Sequence, residues 1–218
     1  MKNIPRIFIG TNIIQNTKIP VGKDVSHYLS HVMRQNNCLV FGDGNEYTAT
    51  LTPDGKFLTI GDKTNHTDPS GDIVLYFAPI KRLDDMLNMA TQMGVKKFIP
   101  VITERTVANH INWDRMKKIV VEASEQSNRN SVPEISAPIK FADLPFKDLI
   151  FADERAAYGR ELPSEYNNIK NILVGPEGGF SDSEFEILDK NNVHGLSLGK
   201  TILRAELAAP IAISRVMK

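Results

Sequence analysis

The hydrophobic pattern changes character near residue 70 of the 218-residue chain. Ahead of that point, short apolar runs separated by turn residues predict strands at 6–9, 38–41 and 46–51. The last two flank Gly42-Asp43-Gly44-Asn45, whose Asp-Gly and Gly-Asn pairs suit a hairpin turn. Pro53-Asp54-Gly55 predicts a second turn before a strand at 57–60. One helix interrupts this region: Val25, Tyr28, Leu29, Val32 and Met33 recur at helical spacing over 24–35, with Asp24 expected as the N-cap. The polar stretch 61–71, which contains Pro69, reads as a linker. A small β-rich domain is therefore expected over 1–69.

Beyond residue 70 strands and helices alternate. Apolar runs at 73–77, 98–102, 149–151, 172–174 and 196–198 predict strands. Helical spacing is expected over 83–93, 113–127, 182–190 and after Leu203. Short, continuously apolar strands between helices predict an α/β domain over 70–218 with a parallel sheet covered on both faces. Its ligand is expected beyond the carboxyl ends of the strands.

Composition narrows the classes. With 41% hydrophobic and 24% charged residues the chain is a globular protein, not a disordered one. The 26 basic residues balance 26 acidic ones, so any nucleic-acid binding must come from local patches. One such stretch, 81–118, holds eight basic residues against four acidic, a pattern that also fits an ordinary solvated face. Cys38 is the single cysteine, which excludes a disulfide framework and a multi-thiolate zinc site and fits the reducing cytosol. Pro5 and Arg6 interrupt the N-terminus before it could act as a signal peptide. The longest apolar run, 73–80, contains Pro79 and is far short of the roughly 20 residues that cross a bilayer, so no membrane role is expected.

Attention falls on Leu173-Val174-Gly175-Pro176-Glu177-Gly178-Gly179-Phe180-Ser181, where an apolar strand enters a glycine-rich loop. Ser181 and Glu184 then form an expected capping box for the next helix. Glycines permit positive φ and close approach of a ligand to the backbone; a plain tight turn is the alternative. The loop is not the G-x-G-x-x-G dinucleotide fingerprint. Gly195 and Gly199 enclose three residues where a phosphate-binding loop needs four, so Gly199-Lys200-Thr201 is read as a turn after a buried strand. His27, His31 and Arg34 share one helical stripe. Two histidines at that spacing can hold a metal, but no third ligand accompanies them, so no metal is expected and an RNA-facing stripe is preferred.

The glycine loop, followed by Leu198-Gly199-Lys200-Thr201-Ile202-Leu203-Arg204-Ala205-Glu206, closely resembles the C-terminal region of the ribosomal RNA small subunit methyltransferase E family. The resemblance also covers Gly94-Val95, Pro100, Thr103-Glu104-Arg105-Thr106, Glu122-Ala123, Glu125-Gln126, Arg129, Val132-Pro133-Glu134-Ile135, and Arg6, His27 and Arg34 in the first domain. It implies a bacterial cytosolic homodimer that methylates N3 of one uridine in 16S rRNA, using S-adenosylmethionine. It also implies a PUA-like domain at 1–69 and a SPOUT-type α/β knot at 70–218, with a C-terminal trefoil knot. By that likeness the cofactor pocket would be lined at Gly175, Pro176, Gly178, Gly179, Leu196, Leu198, Gly199 and Leu203. RNA contacts are expected from Arg6, His27, Arg34, Arg105 and Arg129, although Glu125 offers Arg129 an intrahelical ion pair.

Uracil N3 carries a proton at neutral pH, so transfer requires that proton to leave and the resulting anion to be stabilised. Arg204 is expected to stabilise the anion, its guanidinium being always charged and forked. Glu177 or Glu206 is expected to take the proton, with capping as the alternative role for both. No cysteine adduct is needed, and Cys38 is expected to be a buried small hydrophobe. Pro210 in the last helix invites a kink. The chain departs from the family pattern at Met89, Gln92 and Leu207. Two rival readings are a methyltransferase of the same architecture acting on another RNA, and a catalytically silent RNA-binding module.

Overall fold

The computed structural model describes residues 4–10, 12–42, 44–68, 71–107 and 111–217. Asp43 of the expected hairpin turn and Pro69 of the expected linker lie outside them. The chain divides into two compact units, residues 1–69 with 124–132, and residues 70–123 with 133–218.

In the first unit β1 (Arg6–Phe8), β2 (Lys18–Pro20), β3 (Asn37–Phe41), β4 (Glu46–Leu51) and β5 (Phe57–Lys63) form one sheet in the order β1-β3-β4-β5-β2. Only the β1–β3 pair is parallel. Alternating burial along β4 and β5 sends Tyr47, Ala49, Leu51, Leu58 and Ile60 into a core with Ile7, Cys38, Val40 and Leu29. The mixed, curled sheet fits the PUA-like expectation. Burial pushes the Cys38 thiol up to about 12, as befits a core residue.

Two local expectations need correcting here. The helix is α1 (Lys23–His27), continued by a π-helical turn over Tyr28–Val32, and its N-cap is Gly22 rather than Asp24, which lies in the first turn. The polar stretch after β5 is no free linker. His66 meets the Asn128 carbonyl at 2.7 Å, and Asp68 accepts from the backbone N–H groups of Asn130 and Ser131 at 3.1 and 3.0 Å. Residues 124–132 thus complete the first unit with polar partners that a local pattern does not reveal.

The second unit carries β6 (Val74–Phe77), β7 (Lys97–Ile102), β8 (Glu134–Ile135), β9 (Ile139–Lys140), β10 (Leu149–Ala152), β11 (Asn171–Val174) and β12 (His194–Leu196). Their order is β12-β10-β11-β6-β7-β8, with β9 also on β7, and every pair is parallel. β10 is buried at all four positions and β6 and β11 at three, the signature of strands covered on both faces. The helices are α2 (Leu83–Gln92), α3 (Trp113–Gln126), α4 (Asp182–Lys190) and α5 (Ala205–Val216). α2 turns Met86, Leu87, Ala90 and Thr91 inward at helical spacing. α5 buries Ile213 together with Ala205, Ala208, Ala209 and Ala212, small residues that let a helix lie close to its neighbours. Pro210 sits inside it.

Candidate active site

β10, β11 and β12 lie side by side and end together, and the loops beyond their carboxyl ends, joined by the start of α5, enclose a cleft of about 720 Å³. Parallel strands make such a crevice because all their following loops gather at one edge.

Behind β11, Gly175 packs against the Phe180 ring and Gly179 adopts φ +69°, a left-handed conformation costly for most residues that carry a β-carbon. The expected capping box is present: the Ser181 hydroxyl accepts from Glu184 N–H at 3.2 Å, and the Glu184 carboxylate accepts from Ser181 N–H at 2.9 Å. Glu184 also accepts from Glu104 N–H at 2.8 Å, tying the segment after β7 to the start of α4. Arg105, in that segment, donates to the carbonyls of Gly178 and Phe180, both at 3.0 Å. An arginine expected to contact RNA therefore grips the glycine loop.

Behind β12, Leu198, Gly199, Thr201, Ile202, Leu203 and Arg204 continue the wall. Leu196 does not reach it: the residue is fully buried within β12, beside Ala152. The strand ends at 196, so the turn starts two residues earlier than the apolar pattern suggests. Arg204 is the N-cap of α5 and its side chain is 75% exposed. Glu206, in the first turn, is buried between Arg82 at 3.6 Å and Arg204 at 4.0 Å. Glu177 is exposed and accepts from Lys81 N–H at 2.8 Å.

Behind β10 lies a group the sequence reading passed over, Asp153-Glu154-Arg155. Asp153 is wholly buried and binds Arg155 Nε at 2.8 Å and a terminal nitrogen at 2.7 Å. Arg155 also reaches Asp189 at 3.0 Å and stacks 4.1 Å over the Phe185 ring. Glu154 enters the cleft wall beside Gly179. The strand at 149–151 was legible, and the strand-end rule applied to it would have found these residues.

The RNA-contact expectations divide. Arg6 is 7% exposed: it binds Glu46 at 2.9 Å and the Asn130 side chain at 2.8 Å, and stacks 4.6 Å from the Phe41 ring. Arg129 is 3% exposed, and burial lowers its pKa. Neither guanidinium is presented to a phosphate, because both are enclosed in the first unit. Glu125 accepts from Phe8 N–H at 3.0 Å. His27 and Arg34 are exposed, with His27 stacked 4.7 Å from His31. In the 81–118 stretch Arg82, Lys96, Lys97, Arg115 and Lys118 all face acidic partners, as on a solvated surface. Among the described residues no three His, Cys, Asp or Glu side chains converge as a metal site, and no helix is long and apolar enough to cross a membrane.

A loop between β10 and β11 holds both ends of the final crossing. The Pro163 carbonyl accepts from Ser197 N–H at 2.8 Å, the Tyr166 hydroxyl meets the Gly195 carbonyl at 3.3 Å, and Tyr166 N–H donates to the Arg215 carbonyl at 3.4 Å.

Residues 67–217 match the RNA methyltransferase domain family, and the glycine-lined cleft at the strand ends lies within that match. The chain is 35% identical to ribosomal RNA small subunit methyltransferase E of Rickettsia conorii, over 97% of this chain and 94% of that one. It is 28% identical to the protein of that name from Mesomycoplasma hyopneumoniae, over 94% and 95%. Within the broader class, this chain belongs to the ribosomal RNA small subunit methyltransferase E family. The crystal structure of the Neisseria gonorrhoeae member bound to S-adenosyl methionine superposes with a TM-score of 0.83 at 25% identity, covering 97% of this chain and 96% of that one. A probable rRNA methyltransferase from Porphyromonas gingivalis superposes at 0.80 with 26% identity, over 97% and 96%.

Proposed function

We propose that this chain transfers the methyl group of S-adenosylmethionine to N3 of a uridine in the 16S rRNA of the small ribosomal subunit. The observation that carries the reading is a single cleft holding both the positive-φ glycine loop and the exposed Arg204 guanidinium. The cleft suits the cofactor on its own evidence. Its volume matches a ligand of nucleoside size, and its wall combines the apolar Leu198 and Leu203 with accessible loop backbone. Gly175, Pro176, Gly178, Gly179, Leu198, Gly199 and Leu203 would hold the cofactor, with Leu196 supporting the floor from within the sheet. When bound, S-adenosylmethionine supplies an electrophilic methyl group on a cationic sulfur.

The protein's own residues supply orientation and charge. Arg204 would neutralise the uracil anion as the N3 proton leaves. Glu177 is the proton acceptor we retain, directly or through water, because it is exposed in the cleft while Glu206 is enclosed by two guanidiniums. The rest of the rate would come from positioning. On the first unit, taken as a PUA-like RNA-binding domain over 1–69, His27 and Arg34 form the RNA face. The bonds from Pro163 and Tyr166 to 195, 197 and 215 support a C-terminal trefoil knot, in which the loop encircles the last crossing. A cytoplasmic homodimer completes the reading, the exposed Ile202 and Leu207 offering apolar surface for a second copy.

The test is methyl transfer to small subunits from a strain lacking the gene, with mass spectrometry locating the methyl group. A 3-methyluridine in 16S rRNA is expected. A methyl group on tRNA alone would favour the other-RNA reading, and no calorimetric heat with S-adenosylmethionine would favour the silent module.

A further inference from the structure

Several charged groups of the cleft already have partners within it. Glu206 faces Arg82 and Arg204, Asp153 grips Arg155, Arg105 is held by two carbonyls, and Glu177 accepts from Lys81 N–H. Glu154 opens the turn after β10, half-buried, with its carboxylate against the α-carbon of Gly179, where any side chain would collide with it. No ion pair reaches it among the described residues, since Arg155 is turned to Asp153 and Asp189. Arg155 acts on it only through its field, so a partly desolvated carboxylate with no cation in contact gains when a ligand brings positive charge to it. Burial, and then the adjacent Asp153, raises its pKa above the ordinary glutamate value.

We propose that Glu154 is the countercharge for the cationic methionyl end of S-adenosylmethionine, contacting it across Gly179 from the wall of the cleft. This rests on the cofactor assignment above and not on which nucleotide accepts the methyl group. It also gives Gly179 a second purpose: a Cβ there would push the carboxylate out of the wall. Two positive centres in the cofactor, the sulfonium and the α-ammonium, present the same chemistry, and they can be separated by ligand choice.

Glu154→Gln isolates the charge, because the amide keeps the size of the side chain and an accepting oxygen. Titration calorimetry of the full chain would compare S-adenosylmethionine, S-adenosylhomocysteine, which lacks the sulfonium, and methylthioadenosine, which lacks both positive centres. In Glu154→Gln, S-adenosylmethionine affinity is expected to fall about tenfold, the scale of a lost charged hydrogen bond, with methylthioadenosine unchanged. An equal loss for S-adenosylhomocysteine identifies the ammonium as the partner; an unchanged value identifies the sulfonium. In the wild type the affinity should also weaken as acid protonates Glu154, beginning above the ordinary carboxylate range because its pKa is raised. The charged groups facing it, Asp153, Arg155, and across the cleft Arg105 and Lys81, are present in both proteins, so a flat profile in Glu154→Gln assigns the titration to Glu154. Unchanged S-adenosylmethionine affinity, or an equal loss for all three ligands, overturns the proposal. A wild-type chain that binds none of them overturns the cofactor assignment itself.

Discussion

In the first unit Arg6 keeps 7% of its side chain exposed, with its guanidinium divided among Glu46, Asn130 and the Ser124 carbonyl. In the cleft of the second unit Arg204 keeps 75% exposed, with one carboxylate 4.0 Å away. Both arginines lie in stretches that resemble the same family, Arg204 expected at the uracil anion and Arg6 at an RNA contact. Their difference lies in how many donors the protein has already used. A guanidinium saturated by internal acceptors holds a unit together; one with donors to spare can meet an anion that forms only during a reaction. Arg105 stands between them, exposed yet with two of its bonds spent on the glycine loop.

The largest expected effect breaks the first half of that contrast. Arg6→Ala leaves the buried Glu46 without its cation and should cost about 3–5 kcal/mol, read by urea denaturation. A loss below about 1 kcal/mol would place Arg6 with the surface arginines. Arg204→Ala should show the reverse profile: stability within about 0.5 kcal/mol of wild type, and a methyl-transfer rate lower by about 10²- to 10³-fold. An unchanged rate removes Arg204 from the chemistry.

Arg105→Ala sharpens the middle case. Losing the grip on Gly178 and Phe180 should weaken S-adenosylmethionine binding about three- to tenfold in calorimetry. The salt dependence of rRNA binding should stay as it was, whereas loss of a phosphate contact would lower that slope by about 1. The smallest effect concerns Asp189. The Arg155 hydrogen bond is the first cause holding its carboxyl below the usual range. A depressed folded-state pKa gives stability that is present at neutral pH and lost as the pH falls through that lowered value. Asp189→Asn should therefore destabilise the protein by under about 1 kcal/mol at neutral pH, with the difference vanishing in strong acid.

Much of the frame could be read from local pattern. β10 and β11 and the helix α4 lie within a residue of where apolar runs and the Ser181–Glu184 capping box put them. Strong periodicity bounded by turn chemistry leaves few alternatives for such segments. The weak elements were not legible: β2, β8 and β9 span two or three residues each, too short to show a period. The site split in the same way. The glycine loop and Arg204 announced themselves by composition and resemblance, while Asp153-Glu154-Arg155 carried no glycine signal and acquired meaning only when β10 was found beside β11 and β12.

The order of residues by itself determined which segments become strands and helices, where the glycine-rich loop lies, and which family the chain belongs to, because these depend on neighbours a few positions apart. Tertiary structure alone decided which charges are spent. Arg6 and Glu46 are 40 positions apart, Arg105 and Gly178 are 73 apart, and Glu154 reaches Gly179 only because their strands are adjacent in the sheet. An ionic side chain looks the same in a sequence whether buried in a network or open to a ligand, and only the partners folding brings to it tell the two apart.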